Sequence, residues 1–101
     1  MAHADVYPDE LRRRLGDGED VFVLDVREDD EVAGWAFPGA HHIPLGQLAE
    51  RAAELPTDRQ IVVICHSGVR SASAADALDR GGLTAANLVG GVVGWVDTEP
   101  A

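Results

Sequence analysis

Two runs without a polar side chain, Val21-Phe22-Val23-Leu24 and Ile61-Val62-Val63-Ile64, constrain this chain most. Each is too short for a buried helix and too continuous for a strand with one wet face. Runs of this kind are strands covered on both sides, as in a parallel sheet sandwiched between helices. Ala86-Asn87-Leu88-Val89 reads as a third strand of the same type.

The intervening segments carry helix signals. Pro8 with Asp9 and Glu10 opens a helix bearing Leu11 and Leu15, and Gly16 and Gly18 end it. Pro38-Gly39 marks a turn, and Ile43 is extended because it precedes Pro44. Leu45 to Leu55 reads as a helix with Leu48, Ala52 and Leu55 on one face, stopped by Pro56-Thr57-Asp58. Ser71 to Leu78 is an Ala-rich helix closed by Gly81-Gly82. Gly90-Gly91 turns into a last helical stretch carrying Val92, Val93 and Trp95. Strands alternating with helices predict an α/β layer fold with a mostly parallel sheet, and 101 residues fit one domain, residues 1–101. In such folds the site lies beyond the carboxyl ends of the strands. Asp25 and Cys65 both stand at such ends.

Cys65 is the only cysteine. It cannot form an internal disulfide, a CxxC redox pair or a zinc ribbon. A lone thiol, no leading apolar segment and no membrane-length run make the cytoplasm the expected location. The formal net charge of −10 argues against nucleic acid and anionic membrane as partners. The acids gather in Asp17-Gly18-Glu19-Asp20 and Glu28-Asp29-Asp30-Glu31, read as solvated loop and helix-start surface.

A strand ending on a thiol, then a loop with glycine, then a helix is a nucleophile arrangement. Loop amides and the positive end of the helix dipole favour thiolate over thiol. The bland alternative is an inert buried cysteine. The amides of His66, Ser67, Gly68, Val69 and Arg70 either cap the helix or cradle an anion, and the two roles are compatible. Gly68 lets the backbone bend around the sulfur. Arg70 either stabilises thiolate and donor or pairs with an acid such as Glu31. His66 either tunes the potential of the loop or points to solvent. Asp25 and Arg27 read as a structural pair, with a pocket wall as the alternative. His41 and His42 point apart on a strand, so no metal site is expected. Trp95 reads as a core anchor.

Four stretches, in order and spacing, resemble the rhodanese domain family of sulfurtransferases. They are Leu24-Asp25-Val26-Arg27-Glu28, like the family's D-V-R-E, and Pro38-Gly39-Ala40-His41-His42-Ile43-Pro44-Leu45, like P-G-A-x-N/H-I-P-L. The third is Cys65-His66-Ser67-Gly68-Val69-Arg70-Ser71, like C-x-x-G-x-R-S. The fourth is Asn87-Leu88-Val89-Gly90-Gly91-Val92-Val93-Gly94-Trp95, like L-x-G-G-I/V-x-x-W. The resemblance implies a three-layer rhodanese domain, with a central parallel sheet of about five strands and helices on both faces. It implies ping-pong sulfur transfer without metal or organic cofactor. A Cys65 thiolate takes a sulfane sulfur from thiosulfate or a persulfide, and a thiol or cyanide removes it. Ser71, Asp25 and Arg27 then support a loop built from His66, Ser67, Gly68, Val69 and Arg70.

The chain departs from the family at Trp35-Ala36, where glycine and histidine are usual. His66 and Ser67 also offer little fixed positive charge, which favours a persulfide of a small or protein thiol over thiosulfate. Two other readings compete. One is a phosphatase of the related fold, whose loop holds one residue more between Cys and Arg than the four found here. The other is a non-catalytic binding module or a relay to a protein acceptor, with Trp35-Ala36-Phe37 as an exposed docking patch.

Overall fold

The computed structural model describes residues 3–100. Strand β1 (Ala4–Val6) is followed by α1 (Pro8–Gly16), β2 (Phe22–Asp25), α2 (Asp29–Gly34) and β3 (His41–His42). A one-turn helix α3 (Leu48–Arg51) lies between short 3-10 turns at Leu45–Gln47 and Ala52–Glu54. Then come β4 (Ile61–Ile64), α4 (Val69–Arg80), β5 (Ala85–Leu88) and α5 (Gly91–Asp97). The five strands form one sheet in the order β1-β5-β4-β2-β3, and every pairing is parallel. Register sets Asp25 beside Ile64, and Val63 beside Asn87.

The period of two along the strands divides the core. Leu24, Ile61, Val63 and Cys65 face one side, packed with Ile43, Leu48 and Leu55 and with Ala74, Ala75 and Leu78 of α4. Val23, Val62, Ile64, Ala86 and Leu88 face the other, packed with Leu11 of α1, Phe37 and Val92 of α5. Helices therefore cover both faces, and because neither face reaches water β4 is apolar throughout while β2 and β5 are apolar but for Asp25 and Asn87. No helix among the described residues is long and apolar enough to cross a membrane.

Several elements differ from the sequence expectations. The helix expected over Leu45 to Leu55 is a single α turn between two 3-10 turns. Gly46 weakens its start, and the backbone leaves the helical basin at Arg51 (φ −110°). The broken path still buries Leu48 and Leu55 in one cluster. Helix α4 starts two residues earlier than expected, at Val69, because Gly68 supplies its cap at φ 101°. Strand β1 was not expected. It holds three residues at the sheet edge, and only Val6 is buried.

Candidate active site

Strand β4 delivers Cys65 to the carboxyl edge of the sheet, buried among Leu24, Val63 and Ala74. The next three residues turn back over the thiol. The Gly68 amide donates to Sγ at 3.1 Å and the Ser71 amide, in the first turn of α4, at 3.3 Å. The Ser71 hydroxyl lies 3.2 Å from Sγ. Two backbone donors on one sulfur require the bend at Gly68, whose positive φ excludes ordinary side chains. Burial pushes the Cys65 thiol up. The Ser71 hydroxyl and the amides of Ser71, Gly68 and Ser67 outweigh it, so the thiol ionises below its ordinary value.

A second layer holds the loop from beneath. The Val92 amide donates to the Cys65 carbonyl at 2.8 Å, and the Val93 amide to the His66 carbonyl at 3.0 Å. Both amides come from the first turn of α5, whose entry is formed by Gly90 (φ 80°) and Gly91 (φ 60°). Fixing these two carbonyls fixes the peptide planes that follow, and so aims the loop amides at the sulfur.

The cations near the loop are paired. Arg70 grips Glu31 with both guanidinium ends, at 2.7 and 2.8 Å. Glu31 also accepts from the Glu28 amide at 2.9 Å and completes a capping box on α2. The Arg70 hydrogen bonds, then the Glu28 amide, hold the Glu31 carboxyl down at about 2, and the same pair raises Arg70. Arg27 is buried and pairs with Asp25 through Nη2 at 2.8 Å and Nε at 3.1 Å. Its Nη2 also reaches the Trp35 carbonyl at 2.7 Å. Arg27 thereby ties the segment that follows β2 to the sheet edge beside Cys65.

The fold thus gathers Cys65, Gly68 and Ser71 around one sulfur. His66 and Ser67 are exposed on the loop, and Val69 is 75% exposed. Asp25, Arg27 and Arg70 contribute pairing to the frame. The expected Trp35-Ala36-Phe37 patch does not exist as a unit. Trp35 is 38% exposed, but Phe37 is only 4% exposed and stacks on Trp95 at 4.7 Å between ring centres. Trp95 packs against the second core cluster as a half-buried residue, with Arg12 over its ring at 4.0 Å. Among the described residues, no three His, Cys, Asp or Glu side chains gather as a metal site.

Sequence reasoning missed two participants. Gly91 was read only as part of a turn, yet it lies against the Cys65 and His66 carbonyls. Asn87 was read only as part of a strand, yet its Oδ1 accepts from the Ser71 hydroxyl at 2.6 Å. The available signal was an amide within the otherwise apolar run Ala85–Leu88.

The family model described as Rhodanese-like domain matches residues 7–98. A sulfurtransferase of Allochromatium vinosum is 38% identical over 86 residues, covering 84% of this chain and 80% of its own. The thiosulfate sulfurtransferase GlpE of Pseudoalteromonas translucida is 28% identical over 82 residues, covering 80% and 78%. The crystal structure of a rhodanese-related protein from Thermoplasma volcanium superimposes with a TM-score of 0.88 at 29% identity, covering 97% and 96%.

Proposed function

Since the chain belongs to the rhodanese-like domain family, we propose that it moves sulfane sulfur between thiols through a persulfide on Cys65. The observation that carries this reading is the convergence of the Gly68 and Ser71 amides and the Ser71 hydroxyl on one buried sulfur. Donors on sulfur favour the thiolate, the form that attacks. Asp25, Arg27 and Arg70 act as frame, and His66, Ser67 and Val69 as the rim that meets substrate.

The cycle is ping-pong. The Cys65 thiolate attacks the outer sulfur of a persulfide. A new S–S bond forms on Cys65, the donor's S–S bond breaks, and the donor leaves as a thiolate that takes up a proton. An acceptor thiolate then attacks the outer sulfur of the Cys65 persulfide. That S–S bond breaks, and Cys65 returns to thiolate as the acceptor becomes a persulfide. Cyanide in the acceptor's place leaves as thiocyanate. The negative charge returns to the same sulfur each time, where the Gly68 and Ser71 amides meet it without rearrangement.

The donor class follows from charge. Arg70 is occupied by Glu31 and Arg27 by Asp25, and the chain carries a net charge of −10. A compact dianion such as thiosulfate finds no unpaired guanidinium in either side chain. A persulfide brings less charge per reacting sulfur, so it is the preferred donor. The test is intact-protein mass spectrometry after incubation with glutathione persulfide and, separately, with thiosulfate, in wild type and Cys65→Ser. The expected result is one added sulfur atom with the persulfide, removed by cyanide or thiol and missing in the variant. No gain with either donor would overturn the reading in favour of a binding module.

A further inference from the structure

The Ser71 hydroxyl has one proton and two neighbours that could take it. Asn87 Oδ1 lies 2.6 Å away and Cys65 Sγ 3.2 Å away. All three side chains are buried. In the arrangement observed, Ser71 donates to Asn87. Its oxygen is left to accept, which suits a protonated Cys65 thiol donating to it. An ionised Cys65 has no proton to give and needs a donor. If Ser71 turned its proton to the sulfur, a buried Asn87 carbonyl would lose its partner, which is unfavourable. An asparagine resolves this. Rotating its amide by half a turn replaces the carbonyl with an N–H, which donates to the Ser71 oxygen while Ser71 donates to sulfur. Both chains of hydrogen bonds are then complete: thiol to Ser71 to Asn87 carbonyl, or Asn87 amide to Ser71 to thiolate.

We propose that Asn87 is a positioning residue that sets the direction of the Ser71 hydroxyl and lets it follow the ionisation of Cys65. It touches no substrate and acts only through Ser71. Aspartate at 87 could support only the first chain, and alanine neither. Of the charged groups around the loop, Arg70 is held by Glu31, Arg27 by Asp25, and His66 is exposed. The proposal rests on the reading of Cys65 as the nucleophile, but its readout is ionisation and needs no sulfur transfer. Failure of the persulfide assay with a normal ionisation pattern would sink that reading and leave this one standing.

The experiment is the pH dependence of Cys65 alkylation by iodoacetamide in wild type, Asn87→Asp and Asn87→Ala, each also in a Ser71→Ala background. Asn87→Ala removes the N–H that backs Ser71 when it donates to the thiolate, and the charge-assisted chain is the stronger of the two. The thiol should ionise about half a unit higher, alkylating about threefold more slowly below its pKa. Asn87→Asp should shift it the same way and further, because it supports only the thiol chain and adds a charge. In the Ser71→Ala background the alanine shift should vanish and the aspartate shift should shrink to its charge effect alone. Equal shifts in both backgrounds, or no upward shift from Asn87→Ala in a folded protein, would overturn the proposal. Should the variants fail to fold, the wild type still decides. Its Asn87 side-chain amide resonances should titrate in step with Cys65, and resonances that stay fixed through that titration overturn it.

Discussion

Gly91 lies against the carbonyl of Cys65 so closely that a methyl group on it would sit 2.5 Å from that oxygen and 2.6 Å from the oxygen of His66. Both obstacles are backbone, so neither can turn aside. Its φ of +60° adds strain for any L side chain. Gly91→Ala should therefore destabilise the domain by about 3 kcal/mol, combining backbone strain with overpacking. On a domain of this size that lowers the melting temperature by roughly 12–24 °C. Calorimetry checks it. A melting point unchanged within a few degrees would show that the two carbonyls can move.

The Asp25–Arg27 pair gives a second expectation. Both side chains are buried, and the guanidinium makes three bonds to the carboxylate while spanning to Trp35. Asp25→Asn leaves the buried guanidinium without its counter-charge, a loss of about 3–5 kcal/mol. Replacing both, as Asp25→Asn with Arg27→Met, should recover much of that loss, because no unpaired charge remains. Urea unfolding of the single and double variants measures the difference.

The Glu31–Arg70 pair predicts a pH dependence. Glu31 ionises at about 2 in the folded protein, well below its unpaired 4.5. A depressed carboxylate contributes stability that is fully present above about pH 4.5 and is lost as pH falls toward about 2. The pair is partly exposed, so water and salt screen it and its contribution at neutral pH is about 1 kcal/mol. Glu31→Gln should show that deficit at neutral pH and converge with wild type as the solution is acidified. A deficit that stays constant across the range would assign the effect to the capping of α2 instead.

Phe37 and Trp35 should part company. Phe37 lies between Trp35 and Trp95 in the second core cluster. Phe37→Ala should lose about 3–4 kcal/mol through the cavity it leaves. Trp35 gives its backbone carbonyl to Arg27 whatever its side chain, so Trp35→Ala should change stability by less than about 1 kcal/mol. Thermal melts of the two variants separate a core position from a surface one two residues apart.

The layered sheet was legible because the runs Val21-Phe22-Val23-Leu24 and Ile61-Val62-Val63-Ile64 are apolar on both faces, which leaves parallel pairing under helices as their natural arrangement. The thiol was legible for a local reason as well, since strand, loop and helix follow one another in sequence around Cys65. What escaped was brought in by long-range pairing. Asn87 meets Ser71 only because β5 docks beside β4 in one register, and spacing along the chain carries no trace of that contact. Gly91 carried a visible turn signal, but the carbonyls it lies against are known only after folding. Helix α3 is shorter than its pattern suggests because periodicity at Leu48, Ala52 and Leu55 is the same for one continuous helix and for two 3-10 turns flanking a single α turn. β1, with one buried residue, left almost no pattern to read.

The Val92 and Val93 amides that steady the thiol loop lie far along the chain from Cys65. A ribosome that has finished Cys65 and α4 has not yet made them. Until α5 docks, those two hydrogen bonds to the loop carbonyls are missing. The aim of the Gly68 and Ser71 amides at the sulfur, which draws the ionisation of the thiol down, thus belongs to the completed fold and not to the segment around Cys65 alone.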